Sequence, residues 1–334
     1  MAYTLLIIDP QRDFHEGGSL EVTGATADSE RISALIAAAP PAKTVVSLDT
    51  HTPLHVGHSG FWVHKDGNHP NPFTGMSVEG EIIISRNAGG VATQWMPVNP
   101  AHNKWALYYV ENLPKTGRGA MLVWPNHCLE GTDGHLVHAG LKTQLETLDQ
   151  STVQYYMKGQ NEATEMYSIF KAELPVEGNM TAPQGLYSGG KPAAGTGASP
   201  TKDVVTTSFL KTDDNTALVD HLAEGGLPIV VCGQALSHCV NWSTRDLKRL
   251  LGPRSNRIIL LIDGSSPVGT FEDAASKFVK WCGENGVEVK TTEEVKAEFA
   301  VKKKGGARRN RNRSNKRTRK NKRNNRRTRN NRRQ

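Results

Sequence analysis

Five short apolar runs, each rich in branched side chains, recur along the chain: Thr4–Ile8, Thr44–Leu48, Val153–Met157, Pro228–Cys232 and Ile258–Ile262. Runs of this length and composition suit strands buried on both faces. Stretches with apolar residues at helical spacing lie between several of them. Ile32, Leu35, Ile36 and Ala39 mark one, closed by Pro40; Val240, Thr244, Leu247 and Leu251 mark another, closed by Gly252-Pro253; Phe271, Ala274, Ala275, Phe278 and Val279 mark a third. Strands alternating with helices predict an α/β fold, a Rossmann-like three-layer sandwich with a mostly parallel sheet covered on both faces.

Two stretches break the alternation. Residues 61–119 are rich in Gly, Pro and Trp and contain candidate strands at Glu81–Ser85 and Ala106–Val110. Residues 174–203 are rich in Gly, Pro and Ser. Both read as insertions at the sheet's periphery, since structureless loops of such length are uncommon in a compact domain. Phe61-Trp62 and the Trp95 region have two readings, a lid or subunit contact, or the core of an added subdomain.

Charge divides the chain differently. The formal charge is +8, from 41 Lys+Arg against 33 Asp+Glu, yet residues 302–334 hold 18 basic residues and no acid. The other 301 residues carry 23 basic and 33 acidic side chains, a net of −10. We therefore expect one domain over 1–301 and a disordered Arg/Lys/Asn-rich tail over 302–334. The tail lacks aromatic residues, so any affinity for nucleic acid or another acidic surface would be non-specific and salt-sensitive. It could equally lie across the acidic body, or direct the protein to a nucleus or virion; its composition is similar to the basic ends of proteins of large DNA viruses. No apolar run approaches a membrane helix. Met1–Ile8 leads straight into Asp9 with no basic n-region, so no signal peptide is expected. Four cysteines without zinc-type spacing suit an intracellular, cytoplasmic setting and imply no disulfides.

In open α/β sheets ligands bind beyond the carboxyl ends of the strands. The first strand ends in Asp9 and the second in Asp49-Thr-His51. The third ends in Lys158, and the fourth leads through Gly233-Gln-Ala-Leu-Ser-His to Cys239 at the start of a helix. Taken singly, these residues have ordinary readings: a strand-end cap, a surface ion pair, a buried structural cysteine. Their coincidence on one edge is hard to explain by packing. Cys239 is then a candidate nucleophile, because a helix N-terminus favours a thiolate. Asp9 could take its proton and Lys158 could stabilise the thiolate. Asp49 and His51, two apart on extended backbone, face the same way and could share one metal ion. His55, His58, His64 and His69 follow, a local excess among 12 histidines. Such mixed nitrogen and oxygen ligation suits one divalent ion, zinc ahead of iron or manganese.

Five blocks, in order, resemble the nicotinamidase branch of the isochorismatase-like cysteine hydrolases. They are Ile8-Asp-Pro-Gln-Arg-Asp-Phe14, Asp49-Thr-His-Thr-Pro-Leu-His55, Trp124-Pro-Asn-His-Cys128 with Gly131-Thr-Asp-Gly134, Lys158-Gly159 with Tyr167-Ser168, and Gly233-Gln-Ala-Leu-Ser-His-Cys-Val240. The resemblance implies a triad of Asp9, Lys158 and Cys239 and metal ligation by Asp49, His51 and His127; His55 sits where some members place a further ligand. It also implies a cis peptide around Gln234-Ala235, with the backbone N–H groups of Ala235 and Cys239 forming an oxyanion hole. Phe14, Trp124 and Tyr167 would contact the substrate, a small-molecule amide. The implied activity is hydrolysis of nicotinamide to nicotinate and ammonia through a Cys239 thioester. A homo-oligomer is compatible with it, and no membrane partner is expected.

Two positions depart from the family pattern: Thr50 replaces an aromatic residue, and Ser237 replaces an acid two residues before the nucleophile. Two alternatives stand beside nicotinamide hydrolysis. One is a related amide or carbamoyl-amide hydrolase. The other is a catalytically idle scaffold tethered to nucleic acid by the tail. An isochorismatase proper would lack the metal-binding histidines.

Overall fold

The computed structural model describes residues 2–176 and 213–300. The basic tail and most of the 174–203 insertion lie outside them. Six parallel strands form the main sheet: β1 (Thr4–Ile8), β2 (Lys43–Asp49), β7 (Val153–Lys158), β8 (Ile229–Gly233), β9 (Ile258–Leu261) and β10 (Glu288–Lys290). Their order is β10-β9-β8-β1-β2-β7. The five expected strands are all present, within a residue or so at their ends. All pairs in this sheet are parallel.

Period-two alternation within each strand feeds two cores. Leu6, Ile8, Val45, Val231 and Leu260 face α4 (Thr216–Ala223), α5 (Cys239–Leu251) and α6 (Glu272–Glu284), meeting Leu222, Leu247 and Phe278. Leu5, Ile7, Val46, Val230 and Ile259 point the other way. They meet Leu35, Leu141 and Phe299 of α1 (Ala25–Ala38), α3 (Ala139–Leu145) and α7 (Thr292–Phe299). This is the expected three-layer sandwich, with its strands apolar on both sides because both sides are covered. Among the described residues no helix is long and apolar enough to cross a membrane. All four cysteines are free and buried.

Residues 61–119 fold as a second layer system. Strands β3 (Trp62–Val63), β4 (Ser77–Glu79), β5 (Ile82–Arg86) and β6 (Ala92–Pro97) make an antiparallel sheet ordered β3-β6-β5-β4. Helix α2 (Asn103–Asn112) packs against it. The expectation of a strand at Ala106–Val110 is therefore wrong. Trp105, Ala106, Tyr109 and Val110 are buried while Lys104 and Tyr108 are exposed, which is a helical stripe. A five-residue apolar run does not separate the two periods, and the buried Trp105 one residue earlier decides it. Phe61, Trp62 and Trp95 are buried with Trp105 and Tyr109 in one cluster. They are the core of an added subdomain rather than an exposed lid.

Candidate active site

Strand β1 is the switch point of the main sheet: β2 and β7 lie to one side, and β8, β9 and β10 to the other. A crevice opens at such a point beyond the strand ends. Asp9 follows β1 there, fully buried, in a left-handed conformation with φ 44°. Parallel pairing of β2 with β7 sets Asp49 opposite Lys158. At the end of β8, Gly233 is obligatory, because a Cβ there would lie 2.0 Å from the carbonyl oxygen of Ile8. Segment 234–238, held by the Gln234 N–H on the Ile8 carbonyl, then leads to Cys239 as the first residue of α5.

The three side chains named from the strand ends converge. Lys158 Nζ lies 3.0 Å from Asp9 Oδ2, 2.9 Å from Asp49 Oδ1 and 3.7 Å from Cys239 Sγ. It also donates to the Met166 carbonyl at 2.9 Å. Asp9 accepts a hydrogen bond from Ser47 Oγ at 2.6 Å and is within hydrogen-bonding reach of the thiol. Burial raises the pKa of Asp9, opposed chiefly by Lys158. Burial also pushes the Cys239 thiol well up, and Lys158 pulls it back. The carboxylates of Asp49 and Asp9 override the cost of burying Lys158 and hold its pKa well above the usual lysine range. These shifts favour a charged Lys158 and a protonated Cys239 thiol. The peptide Gln234–Ala235 is cis. The Ala235 carbonyl accepts from the N–H groups of His238 and Val240, while the N–H groups of Ala235 and Cys239 have no acceptor among the described residues.

Next to this cluster lies a nest of imidazoles. Asp49 Oδ2 is 3.0 Å from His51 Nε2 and 3.4 Å from His127 Nε2. The ring nitrogens of His51, His58 and His127 can come within 4.8 Å of one another, all buried. His51 Nδ1 donates to the Gly159 carbonyl at 2.9 Å, and His127 Nδ1 donates to the Pro125 carbonyl at 2.7 Å. With those protons committed, each Nε2 turns a lone pair toward the carboxylate. His51 Nε2 is buried without a hydrogen-bond partner. Asp49 raises the pKa of His51 against the cost of burial. Neutral nitrogens steered by carbonyls around a carboxylate are the donor set of a divalent transition ion, and the residues fit one. Gly159 closes the nest: its φ is +74° and a Cβ would meet His51 Cε1 at 2.6 Å.

His58, which the residue pattern named only within a cluster, stands at the nest, with Nε2 3.3 Å from His127 Nδ1. His55 has both nitrogens engaged, Nδ1 accepting from the Gly57 N–H at 3.1 Å and Nε2 donating to the Thr164 carbonyl at 3.1 Å. It nevertheless belongs, with His51 and Glu165, to a second group of potential ligands. His64 and His69 lie away, against Asp66 and the Trp62 carbonyl. Sequence reasoning missed Gln11, whose side-chain amide bonds both to the Asp49 carbonyl and N–H at 2.7 Å and so clamps the ends of β1 and β2.

Of the three expected substrate contacts, Phe14 stacks edgewise on His127 at 5.4 Å. Trp124 Nε1 donates to Tyr167 Oη at 3.0 Å, and both rings flank His238. Burial pushes His238 down to about 4. At the two departures, Thr50 Oγ1 pairs with His135 Nε2 at 2.8 Å, and Ser237 Oγ accepts from the Val268 N–H at 3.1 Å. Both small residues are thus committed to structure.

The subdomain sets the walls. Trp105 Nε1 donates to the Ala163 carbonyl at 2.7 Å, and Tyr109 Oη accepts from the Glu165 N–H at 3.0 Å. The segment they hold carries Met166, the carbonyl partner of Lys158, and Tyr167. Trp62 Nε1 donates to the Val56 carbonyl at 2.8 Å, fixing the histidine loop.

No protein-family model matches the chain, and no curated protein matches it by sequence. Solved structures do. A nicotinamidase/pyrazinamidase of Acinetobacter baumanii superimposes with a TM-score of 0.53 at 16% identity, over 87% of this chain and 97% of its own. A yeast nicotinamidase bound to the inhibitor nicotinaldehyde superimposes with a TM-score of 0.52 at 20% identity, over 86% of this chain and 99% of its own. At these identities the likeness is one of fold: the chain has the α/β fold of these nicotinamidases.

Proposed function

We propose that the chain is a metal-dependent cysteine amidohydrolase of the isochorismatase-like superfamily, acting on an aromatic carboxamide of the nicotinamide type. One observation carries this reading: Asp9, Lys158 and Cys239, from three separate elements, meet within 3.7 Å contacts beside a buried Asp49–histidine nest. Packing alone has no reason to bury a lysine, two carboxylates and a thiol together.

In the proposed reaction Asp9 takes the thiol proton as Cys239 Sγ attacks the amide carbon. The developing oxyanion is met by the unpaired N–H groups of Ala235 and Cys239, donors whose individual removal elsewhere costs about 3 kcal/mol. Collapse breaks the carbon–nitrogen bond, and the leaving nitrogen takes the proton back from Asp9. Water, deprotonated by Asp9, then cleaves the thioester to the carboxylate and restores the thiol. Lys158 holds both carboxylates in place and stays charged throughout. Phe14 and Trp124 flank the ring. Asp49, His51, His127 and His58 would hold the metal, which supplies a Lewis-acidic anchor for a ring nitrogen or a water.

Ammonia release from a panel of nicotinamide, an N-carbamoyl amino acid and an aliphatic amide tests the substrate class. We expect nicotinamide to be cleaved with the highest kcat/KM, by protein holding close to one metal ion per chain. Preference for the carbamoyl compound would move the activity to the carbamoyl-amide branch. Metal-loaded protein that released ammonia from none of them would refute an amidase.

A further inference from the structure

A cavity of about 110 Å³ adjoins the proposed ring site and shares Trp124 with it. Its lining is partly aromatic, with Trp124, Tyr167, Phe271 and His238. It also carries two acids, Glu165 and Glu173, with Tyr109 and Arg118. Both glutamates are more than nine-tenths buried. Arg118 is the cation there, and it is shared: one guanidinium nitrogen is 3.3 Å from Glu173 Oε1 and another is 2.6 Å from Asp246 Oδ1. Glu173 Oε2 is buried with no hydrogen-bond partner among the described residues. His238 adds no charge, because burial keeps it neutral at physiological pH.

Two buried glutamates thus share this wall with Arg118, and one carboxyl oxygen is left without a donor among the described residues. Such an arrangement lacks one positive, hydrogen-bond-donating group. Aromatic rings in the same lining suit the same kind of ligand, since a ring face attracts a cation. A halide, phosphate or carboxylate would meet Glu165 and Glu173 and be repelled.

We propose that this cavity is a binding subsite for a protonated amine, its ammonium group donating to Glu173 Oε2 and its carbon framework lying against Trp124, Tyr167 and Phe271. The amine is either a substituent of the carboxamide substrate or the ammonium set free by hydrolysis. The proposal rests on the amidase reading for its biological meaning but not for its test.

Calorimetric titration of the full chain compares benzylammonium with benzyl alcohol, a neutral partner of the same shape, and separately measures ammonium chloride. Benzylammonium is expected to bind at least about tenfold more tightly than the alcohol, as a charge-assisted bond to a buried carboxylate would give. The Glu173→Gln substitution is expected to bring that ratio close to one. Equal affinity of wild-type protein for the two compounds overturns the subsite, whatever the variant does. So does a ratio that a folded Glu173→Gln protein retains.

The source of the amine is read from turnover. An aminomethyl-substituted nicotinamide cleaved with at least about tenfold higher kcat/KM than its methyl analogue identifies a substrate substituent. No such gain, with ammonium chloride binding that Glu173→Gln abolishes, identifies the product. Amine binding without ammonia release from any carboxamide would defeat the amidase reading and leave the subsite standing.

Discussion

The main sheet and the added subdomain solve the same problem by opposite means. The six-stranded sheet buries both of its faces, so its strands are short uninterrupted apolar runs, and chemistry is confined to their carboxyl ends. The four-stranded sheet of residues 62–97 is antiparallel and covered chiefly by α2, and it leaves Ile82 and Met96 exposed. It supplies neither the triad nor the ligands of the nest. Its large aromatics instead anchor the backbone of Val56, Ala163 and Glu165, which carries the histidine loop and the Met166–Tyr167 segment. In the proposed chemistry one region presents the reacting groups, and the other fixes where their neighbours stand.

Substitutions should therefore separate by region. The largest effects belong to the strand ends. Asp9→Asn removes the proton acceptor, and Lys158→Met leaves Asp9 and Asp49 as unpaired neighbours. Each is expected to lower kcat by about a thousandfold or more. Steady-state ammonia release checks this, and a loss under tenfold in a folded variant would break the division of labour. In the subdomain, Trp105→Ala removes a 2%-exposed side chain together with its bond to Ala163. A loss of about 3–5 kcal/mol is expected in denaturant unfolding. The remaining activity should fall through KM more than through kcat, as Tyr167 and Glu165 lose their support. Wild-type stability after this substitution would mean that the subdomain is a mere appendage.

A pH effect probes the rim of the main sheet. His15 is neutral, its Nδ1 donating to the Gln11 carbonyl and its Nε2 accepting from Ser29 Oγ, both at 2.7 Å. Burial pushes it down to about 4, as it does His238. An unfolded chain would titrate these groups near 6.5, so below that pH the unfolded state binds protons that the folded state refuses. The stability they contribute is complete above about 6.5 and is lost as the pH falls toward 4, at about 1.4 kcal/mol per pH unit for each group. Thermal unfolding between pH 7 and 4.5 should show this, and His15→Gln should flatten the profile. Parallel profiles for the variant and the wild type would contradict it.

Much of this arrangement is legible in the sequence, for reasons that differ between the regions. A buried parallel strand announces itself by composition, and the residue after it is then a placed residue, which is how Asp9, Asp49 and Lys158 could be named. Cys239 follows from the Gly233 turn and the helical period beyond it. His127 lies on an irregular segment, where no periodicity points; only the family resemblance picks it out. His58 was visible as one histidine among several, but nothing in the spacing separates it from His64 or His69. The run Ala106–Val110 reads as strand because Tyr and Val favour strands, and tertiary packing of Trp105 and Tyr109 overrides that preference. Glu165 and Glu173 carry no signal at all in one dimension, since their meaning comes from burial beside Arg118.

In the proposed chemistry Cys239 is the nucleophile of an amide hydrolysis. The direct test is ammonia release from nicotinamide by purified, metal-loaded protein and by its Cys239→Ala variant under the same conditions. We predict release by the wild type and at least a thousandfold loss in the variant with metal content unchanged. Release that survives the substitution would contradict the account.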